Sequence, residues 1–338
     1  MKIKQLRSLL RKKSIDCAVF IAEEQPNPTI TQITHIPNLT QTILLVPFSG
    51  KPQIYISTLS YGGIKKQPGI TIKKLNKPLS EIILSQKKCK TLAVDTQRLS
   101  SYRYNSLSKK LKDIKLIDIS EFLAPLSSIK ESWEIERIKR AAKIADNAFS
   151  KIITNFNFST EAEVCAALEY EITSTGASIA FPTIIASGPN ASIPHHITSN
   201  TKLKHGFCII DFGACYQGYN SDCTRTIFIG TPNNKEIAFY KKVLNSQKSA
   251  ILGAKPGKSC AFIDKLSRKK LGKHSKYFIH SLGHGIGTEV HEDPNISKKS
   301  KSKLAKNMVF TIEPGIYIKN GLGIRIEDTL VMSSKPRS

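Results

Sequence analysis

Two stretches of the chain share one design, an apolar strand, a glycine-bearing turn and a second apolar strand, and each carries acids on both arms. Ile209 to Phe228 holds Asp211 and Asp222 as its only carboxylates, and Val309 to Met332 holds Glu313 before its turn and Glu327 after it. Side chains alternate faces along a strand, so a turn near Tyr216 and Gln217 sets Asp211 opposite Asp222. Like charges that close repel each other, and a hard divalent cation is the simplest compensation. Thr311 shares a face with Glu313, and Arg325 and Thr329 share one with Glu327, so each acid has a neighbour two residues away to orient it. Between the two stretches lies H-S-L-G-H-G-I-G-T-E-V-H-E-D-P, which offers His280, His284 and His291. Spacing alone does not choose among these histidines, although Gly283 and Gly285 permit close backbone approach to a metal or substrate. Four carboxylates and an imidazole are enough for two metal ions, an arrangement that makes a nucleophile from water. The metal-free alternatives, ion pairs with Arg225 and Arg325 or a surface cluster, leave acids on apolar strands poorly compensated.

The motifs D-F-G, G-Y-N-S-D-C-T-R-T, G-H-G-I-G-T-E-V-H-E-D-P, T-I-E-P-G-I-Y and R-I-E-D occur in this order. Together they closely resemble those of the pita-bread metallopeptidases, in the prolidase and aminopeptidase P branch with a creatinase-like N-terminal domain. The resemblance implies an α/β N-terminal domain over residues 1–125 and an α+β pita-bread (creatinase/aminopeptidase-like) catalytic domain over 126–338, with a curved, mostly antiparallel sheet. It makes Asp211 a ligand of one metal, His284 and Glu313 ligands of the other, and Asp222 and Glu327 bridges. It further implies that Glu313 carries a proton and that His291 stabilises a tetrahedral oxyanion. His195 in G-P-N-A-S-I-P-H-H contacts the substrate by the same resemblance, with His196 where the family often has tyrosine, and Arg325 orients an acid. The implied reaction is hydrolysis of Xaa-Pro bonds by a metal-bridging hydroxide, in Xaa-Pro dipeptides or short peptides with proline second. Two divalent ions are implied, manganese ahead of cobalt, zinc or iron, in a homodimer. A methionine aminopeptidase-like exopeptidase is the alternative within enzymes. A non-catalytic binding protein using its basic surface is the alternative outside them.

The elements that must position these residues can be read along the chain. Ile3, Leu6, Leu9 and Leu10 give the first residues an inward helical face, which reads as an amphipathic helix and not as a signal peptide. Ile15 to Ala22 fits a buried strand, and Pro26, Pro28 and Pro37 mark a loop that includes His35. Thr42 to Pro47 and Gln53 to Ser57 form a hairpin, and Thr91 to Asp95 and Lys115 to Ile119 flank a helical pattern from Leu99 to Leu111 as a βαβ unit. Pro125 with Ser127 and Ser128 reads as a linker. A long helix then starts near Glu131, and Thr160-Glu161-Ala162-Glu163 caps the next, whose acids Glu169 and Glu171 read as solvent-facing. Phe181 to Ser187 returns as a strand. Helices over Asn234 to Leu252 and Cys260 to Leu271 follow the first acid-bearing hairpin.

Composition bounds the reading. The seven cysteines include no C-x-x-C pair, which fits reduced thiols in a cytoplasmic protein. Cys208, Cys215 and Cys223 point away from the acids on regular strands and read as core residues. No stretch of about 18 apolar residues occurs, so no membrane span is expected. The net charge is +25, with 21 Lys and Arg against 8 acids over residues 1–125 and 30 against 18 beyond. So even a spread gives solvated faces and only weak, salt-sensitive attraction to nucleic acid. Asn307 stands where the family usually has glycine and tolerates a left-handed backbone. The sequence ends at Ser338, shortly after Glu327, where the resemblance implies a further glycine and a Leu-Thr segment; weaker folding or dimer contacts are expected.

Overall fold

A computed structural model describes residues 2–86, 89–319 and 321–333. They fall into two compact units, one through Ser127 and one from Ser128. The first unit is built on a six-stranded sheet in the order Thr71–Leu75, Gln53–Ser57, Thr42–Pro47, Cys17–Ala22, Thr91–Val94, Lys115–Asp118. Its middle pairs are antiparallel and the pairs towards both edges parallel. Period-two alternation decides which side of the sheet each residue serves. Ala18 and Phe20 join Leu6, Leu10, Ile30 and Leu123 in one core, whereas Cys17 and Val19 join Ile82, Ile83 and Leu107 in another. Helices therefore cover both faces.

Two expectations fail in this unit for identifiable reasons. The proline-marked loop contains the helix Pro28–Thr34, with Asn27 accepting from Thr29 N as its cap and proline at the first helical position. Proline is tolerated there because its missing N–H would be unpaired in any case. His35 ends that helix in a left-handed conformation. The expected linker is also helical, over Ser120–Ser128, with Pro125 inside it. Packing of Leu123 and Leu126 into the first core outweighs proline's cost to the helix.

In the second unit the capped helix Ser132–Thr154 and the helix Glu161–Thr173 pack on a three-stranded antiparallel sheet of Ile184–Ser187, Gly206–Phe212 and Cys223–Ile229. A four-stranded antiparallel sheet follows in the order Glu292–Ile296, Gly283–Gly285, Val309–Ile312, Asp328–Val331. The helices Asn234–Gly253 and Cys260–Leu271 share a core with it. The first hairpin turns at Gln217 and Gly218, both with positive φ, between the paired Tyr216 and Tyr219. That is the two-residue loop whose twist suits a hairpin. Asn307 has a φ of 66°, as a left-handed position requires. The chain after Ser333, on which the expectation about the sheet edge and dimer contacts falls, lies outside the described residues. No helix among the described residues is long and apolar enough to cross a membrane.

Lys130 and Glu292 form a 2.6 Å ion pair with both side chains almost fully buried. Glu292 also accepts from Thr288 Oγ1 and Glu289 N, so the charge is well bonded where it lies. Removing the lysine strands the carboxylate, which typically costs about 3 to 5 kcal/mol. Lys130→Met is therefore expected to lower the urea midpoint sharply, and Lys130→Met with Glu292→Gln to recover part of the loss; equal loss in both variants would sink this account.

Candidate metal centre

The acids sit where strands end. Asp211 is the next-to-last residue of Gly206–Phe212, Asp222 precedes Cys223–Ile229, Glu313 follows Val309–Ile312 and Glu327 precedes Asp328–Val331. The register is not the one expected from a simple hairpin. Thr224, not Asp222, lies opposite Asp211, because the arms are broken into two short pairings around Gly213 and Ser221. Hydrogen bonds tie these segments together at this point, Glu327 N donating to Thr224 O at 3.1 Å and the Thr226 hydroxyl to Arg325 O at 2.7 Å.

His284 lies in the short strand Gly283–Gly285, between glycines that serve packing. A Cβ at Gly283 would lie 2.0 Å from Thr311 O, and one at Gly285 would lie 2.1 Å from Asp293 O. The close approach foreseen for these glycines is thus to neighbouring strands. The His284 ring is oriented by a 3.0 Å contact from Nδ1 to Gly285 O, which leaves Nε2 without the proton. That Nε2 lies 3.5 Å from Asp222 Oδ2 and 3.4 Å from Glu313 Oε1. Asp222, His284 and Glu327 each present a ligand atom within 4.8 Å of the others.

Arg325 reaches Asp211, not the nearby Glu327. Its Nη2 lies 2.5 Å from Asp211 Oδ2, while Nη1 donates to Tyr317 OH at 2.9 Å and Nε to Thr224 Oγ1 at 3.0 Å. Residues 325 and 327 would share a face on a continuous strand, but Gly323–Arg325 and Asp328–Val331 belong to different sheets. Glu327 Oε2 instead accepts from Thr224 Oγ1 at 2.7 Å, and Thr329 bonds the Asp222 carbonyl. Thr311 bonds Glu313 Oε1 at 3.4 Å, the partnership read from its position. Asp211 Oδ1 and Glu327 Oε1 are buried without a hydrogen-bond partner. Such orphaned oxygens are costly unless a cation answers them. Carboxylates with one imidazole fit a divalent ion that prefers oxygen and nitrogen. The sulfurs stand apart: Cys208 and Cys223 belong to the core, and Cys223 Sγ donates to the Glu327 carbonyl at 3.8 Å.

Burial and mutual repulsion hold protons on Asp222, Glu313 and Glu327 in the absence of metal. Desolvation, followed by the charges of Glu327, Asp211 and Glu313, pushes Asp222 well above the ordinary carboxylate range. Glu313 is raised in the same way by burial and then Glu327, and burial with Asp211 lifts Glu327 to about 8. The histidines go the other way. Desolvation lowers His284 to about 4, and desolvation with the Arg325 charge lowers His280 to about 3. His280 places Nδ1 2.8 Å from Ser281 O and Nε2 3.0 Å from Tyr317 OH, with Glu313 Oε2 3.7 Å away. Tyr317 thus joins His280 to Arg325. It was not singled out from sequence, and its signal is the tyrosine two residues past E-P-G, whose buried hydroxyl must find a partner.

The remaining predicted residues lie at the margin. His291 is exposed, its ring centroid 4.4 Å from that of His284. His195 is exposed. His196 turns away to Glu161, 2.8 Å from Nε2 to Oε2.

Comparison with known proteins identifies the family. The profile of the Creatinase/Prolidase N-terminal domain matches residues 2–128 and that of Metallopeptidase family M24 residues 136–334. An Xaa-Pro dipeptidase of Pyrococcus horikoshii is 37% identical over 98% of this chain and 94% of its own length. The solved prolidase of Pyrococcus horikoshii superposes with a TM-score of 0.91 at 34% identity, covering 99% of this chain and 96% of that one. An X-Pro aminopeptidase from Thermotoga maritima gives a TM-score of 0.89 at 31% identity, covering 96% and 95%. With a creatinase-type α/β domain before a pita-bread catalytic domain, and acids and imidazole gathered at its strand ends, the chain belongs to metallopeptidase family M24.

Proposed function

We propose that this chain is an exopeptidase that hydrolyses the bond between an N-terminal residue and a following proline, using two divalent ions, with manganese the first choice and cobalt, zinc or iron the others. The observation that carries the reading is the pair of orphaned buried oxygens, Asp211 Oδ1 and Glu327 Oε1, in a cluster of four acids. Arg325 is the one guanidinium bonded to a carboxylate of that cluster among the described residues. Asp211 would hold one ion, His284 and Glu313 the other, and Asp222 and Glu327 both. Bound divalent ions supply a nucleophile from water near neutral pH and Lewis-acid polarisation of the scissile carbonyl.

The chain's own groups do the rest. Glu313 lies between His284 and His280, and its raised proton affinity suits it to pass a proton to the leaving nitrogen of proline. His291, exposed beside His284, donates to the oxyanion, and His195 holds the substrate. Arg325 fixes Asp211. A proline nitrogen carries no N–H, so such bonds call for a dedicated site. The names of the relatives support the substrate class. The free cysteines support a reducing, cytoplasmic setting, and the homodimer is part of the same proposal.

Asp222→Asn removes a carboxylate shared by both ions. Even outer partners of metal ligands are worth about 10- to 100-fold, so kcat/KM on an Xaa-Pro dipeptide should fall by more than about 100-fold. Assays of metal-stripped protein with manganese or cobalt restored, on the dipeptide and on an Xaa-Pro-Yaa tripeptide, test this and show which length is preferred. Cleavage of N-terminal methionine in place of both substrates would overturn the proline assignment. Failure of the folded protein to take up metal would favour the binding-protein alternative.

Titration gives a second test. Above pH 7 the lowered histidines are mostly neutral in both folded and unfolded chains, and the buried thiols, raised by desolvation, act in the same direction as the acids. Glu327 keeps its proton to about pH 8 when folded but only to 4.5 when unfolded. The folded metal-free protein therefore binds more protons, and its stability must fall as pH rises from 7 to 8.5. Metal needs deprotonated ligands, so its addition should raise Tm more at pH 8.5 than at pH 7. A flat metal-free Tm, with equal gains at both values, would contradict the acid cluster.

A further inference from the structure

The loop that carries His195 is fastened at three places by groups outside the acid cluster and at its edge. The first is Glu161, in the first turn of Glu161–Thr173 and fully buried. Its Oε1 accepts from Ser187 N at 2.8 Å, Ser187 Oγ at 3.0 Å and Asn190 Nδ2 at 3.0 Å, and its Oε2 meets His196 Nε2 at 2.8 Å. A carboxylate only accepts, so His196 donates through Nε2–H. One side chain thus spans the loop from Ser187, the strand residue just before it, to His196, its last residue. The second fastening is Arg325, whose Nη1 donates to Pro194 O at 3.3 Å. The third is packing: a Cβ at Gly323 would lie 1.6 Å from Ala191 O, so the strand Gly323–Arg325 runs directly against the turn Gly188–Ser192.

His195 is therefore exposed between two held neighbours, Pro194 through its carbonyl and His196 through its ring. We propose that Glu161 is a positioning residue for the reaction, which fixes the Gly188–His196 loop so that His195 meets the substrate in one orientation. The pairing also gives His196 a role of its own. It is the anchor of the loop, and His195 is left as the residue free to reach a ligand. The kinetic form of the proposal rests on the Xaa-Pro reading, but the structural form does not.

The test therefore has two parts. Hydrogen exchange by mass spectrometry reads the loop without any substrate: Glu161→Ala should speed exchange over residues 188–196 and leave Gly206–Phe212 as in the wild type, and Glu161→Gln, which keeps an acceptor oxygen, should restore most of the protection. Should Glu161→Ala not fold, His196→Phe cuts only the last bond and is read in the same way. Unchanged exchange in the variants overturns the clamp whatever the enzyme cleaves. In the second part, Glu161→Ala is expected to lower kcat/KM on an Xaa-Pro dipeptide by up to about 100-fold, as misplacement near a reacting centre does. Because the effect passes through His195, it should largely vanish in a His195→Ala background. Full additivity would assign Glu161 a purely structural role and sink the proposal. A wild type that cleaves no Xaa-Pro substrate would overturn the functional reading alone, with the exchange result still deciding the clamp.

Discussion

The constraint on which the catalytic unit depends is the burial of like charge. Asp211, Asp222, Glu313 and Glu327 are brought to one place by the ends of strands from two sheets, and the charges of Glu327, Asp211 and Glu313 add to burial in raising the proton affinity of Asp222. Repulsion of this kind would spread the strands if they were not tied. Thr224 is the tie, with its hydroxyl accepting from Arg325 and donating to Glu327 and its carbonyl accepting from Glu327 N. Arg225 adds a second, donating to the Glu327 carbonyl at 2.6 Å and pairing with Asp328 at 2.9 Å. Strand residues that flank the acids, one threonine and one arginine, thus carry the mechanical load of the charged site.

The histidines do not relieve the acids by taking up protons, because desolvation prevents it. His280 and His284 are both pushed far below the ordinary imidazole range, so neither is a cation at neutral pH. An uncharged imidazole is a ligand, whereas a protonated one would be a counter-ion. The same burial that raises the acids keeps His284 available to a metal, and the two shifts have one cause.

Much of this was legible in the sequence because it rests on local pattern. The hairpin Thr42–Pro47 with Gln53–Ser57 has the bounds that its apolar runs gave, and Cys260–Leu271 those that its periodicity and preceding proline and glycine gave. Thr311 beside Glu313 followed from alternation alone. The misses have equally specific causes. Alternation assumes a continuous strand, and the breaks at Gly213 and at Ile326 moved Arg325 from Glu327 to Asp211 and set Thr224 opposite Asp211. Proline counting hid the helix Pro28–Thr34, where Asn27 and Pro28 together were the signal of a start. The role of Glu161 was not legible either, since a buried acid at a helix start looks in sequence like an ordinary cap and only the fold brings Ser187, Asn190 and His196 to it.

The acids divide their oxygens in a consistent way. On Asp211, one oxygen is held by Arg325 and the other has no partner; on Glu327, one is held by Thr224 and the other has none. A carboxylate oxygen carries two lone pairs, so a hydrogen bond on it orients the group and still leaves capacity for a metal, whereas a carboxylate bonded through neither oxygen would lose its orientation to rotation. Holding one oxygen fixes the plane of the group while the second stays bare, so the entropy of ordering the ligand is met during folding and not during metal uptake. The cost is an unpaired buried oxygen on each acid. That cost explains why the pattern belongs to a site and would not persist in an ordinary core, where a donor or an apolar substitution would remove it.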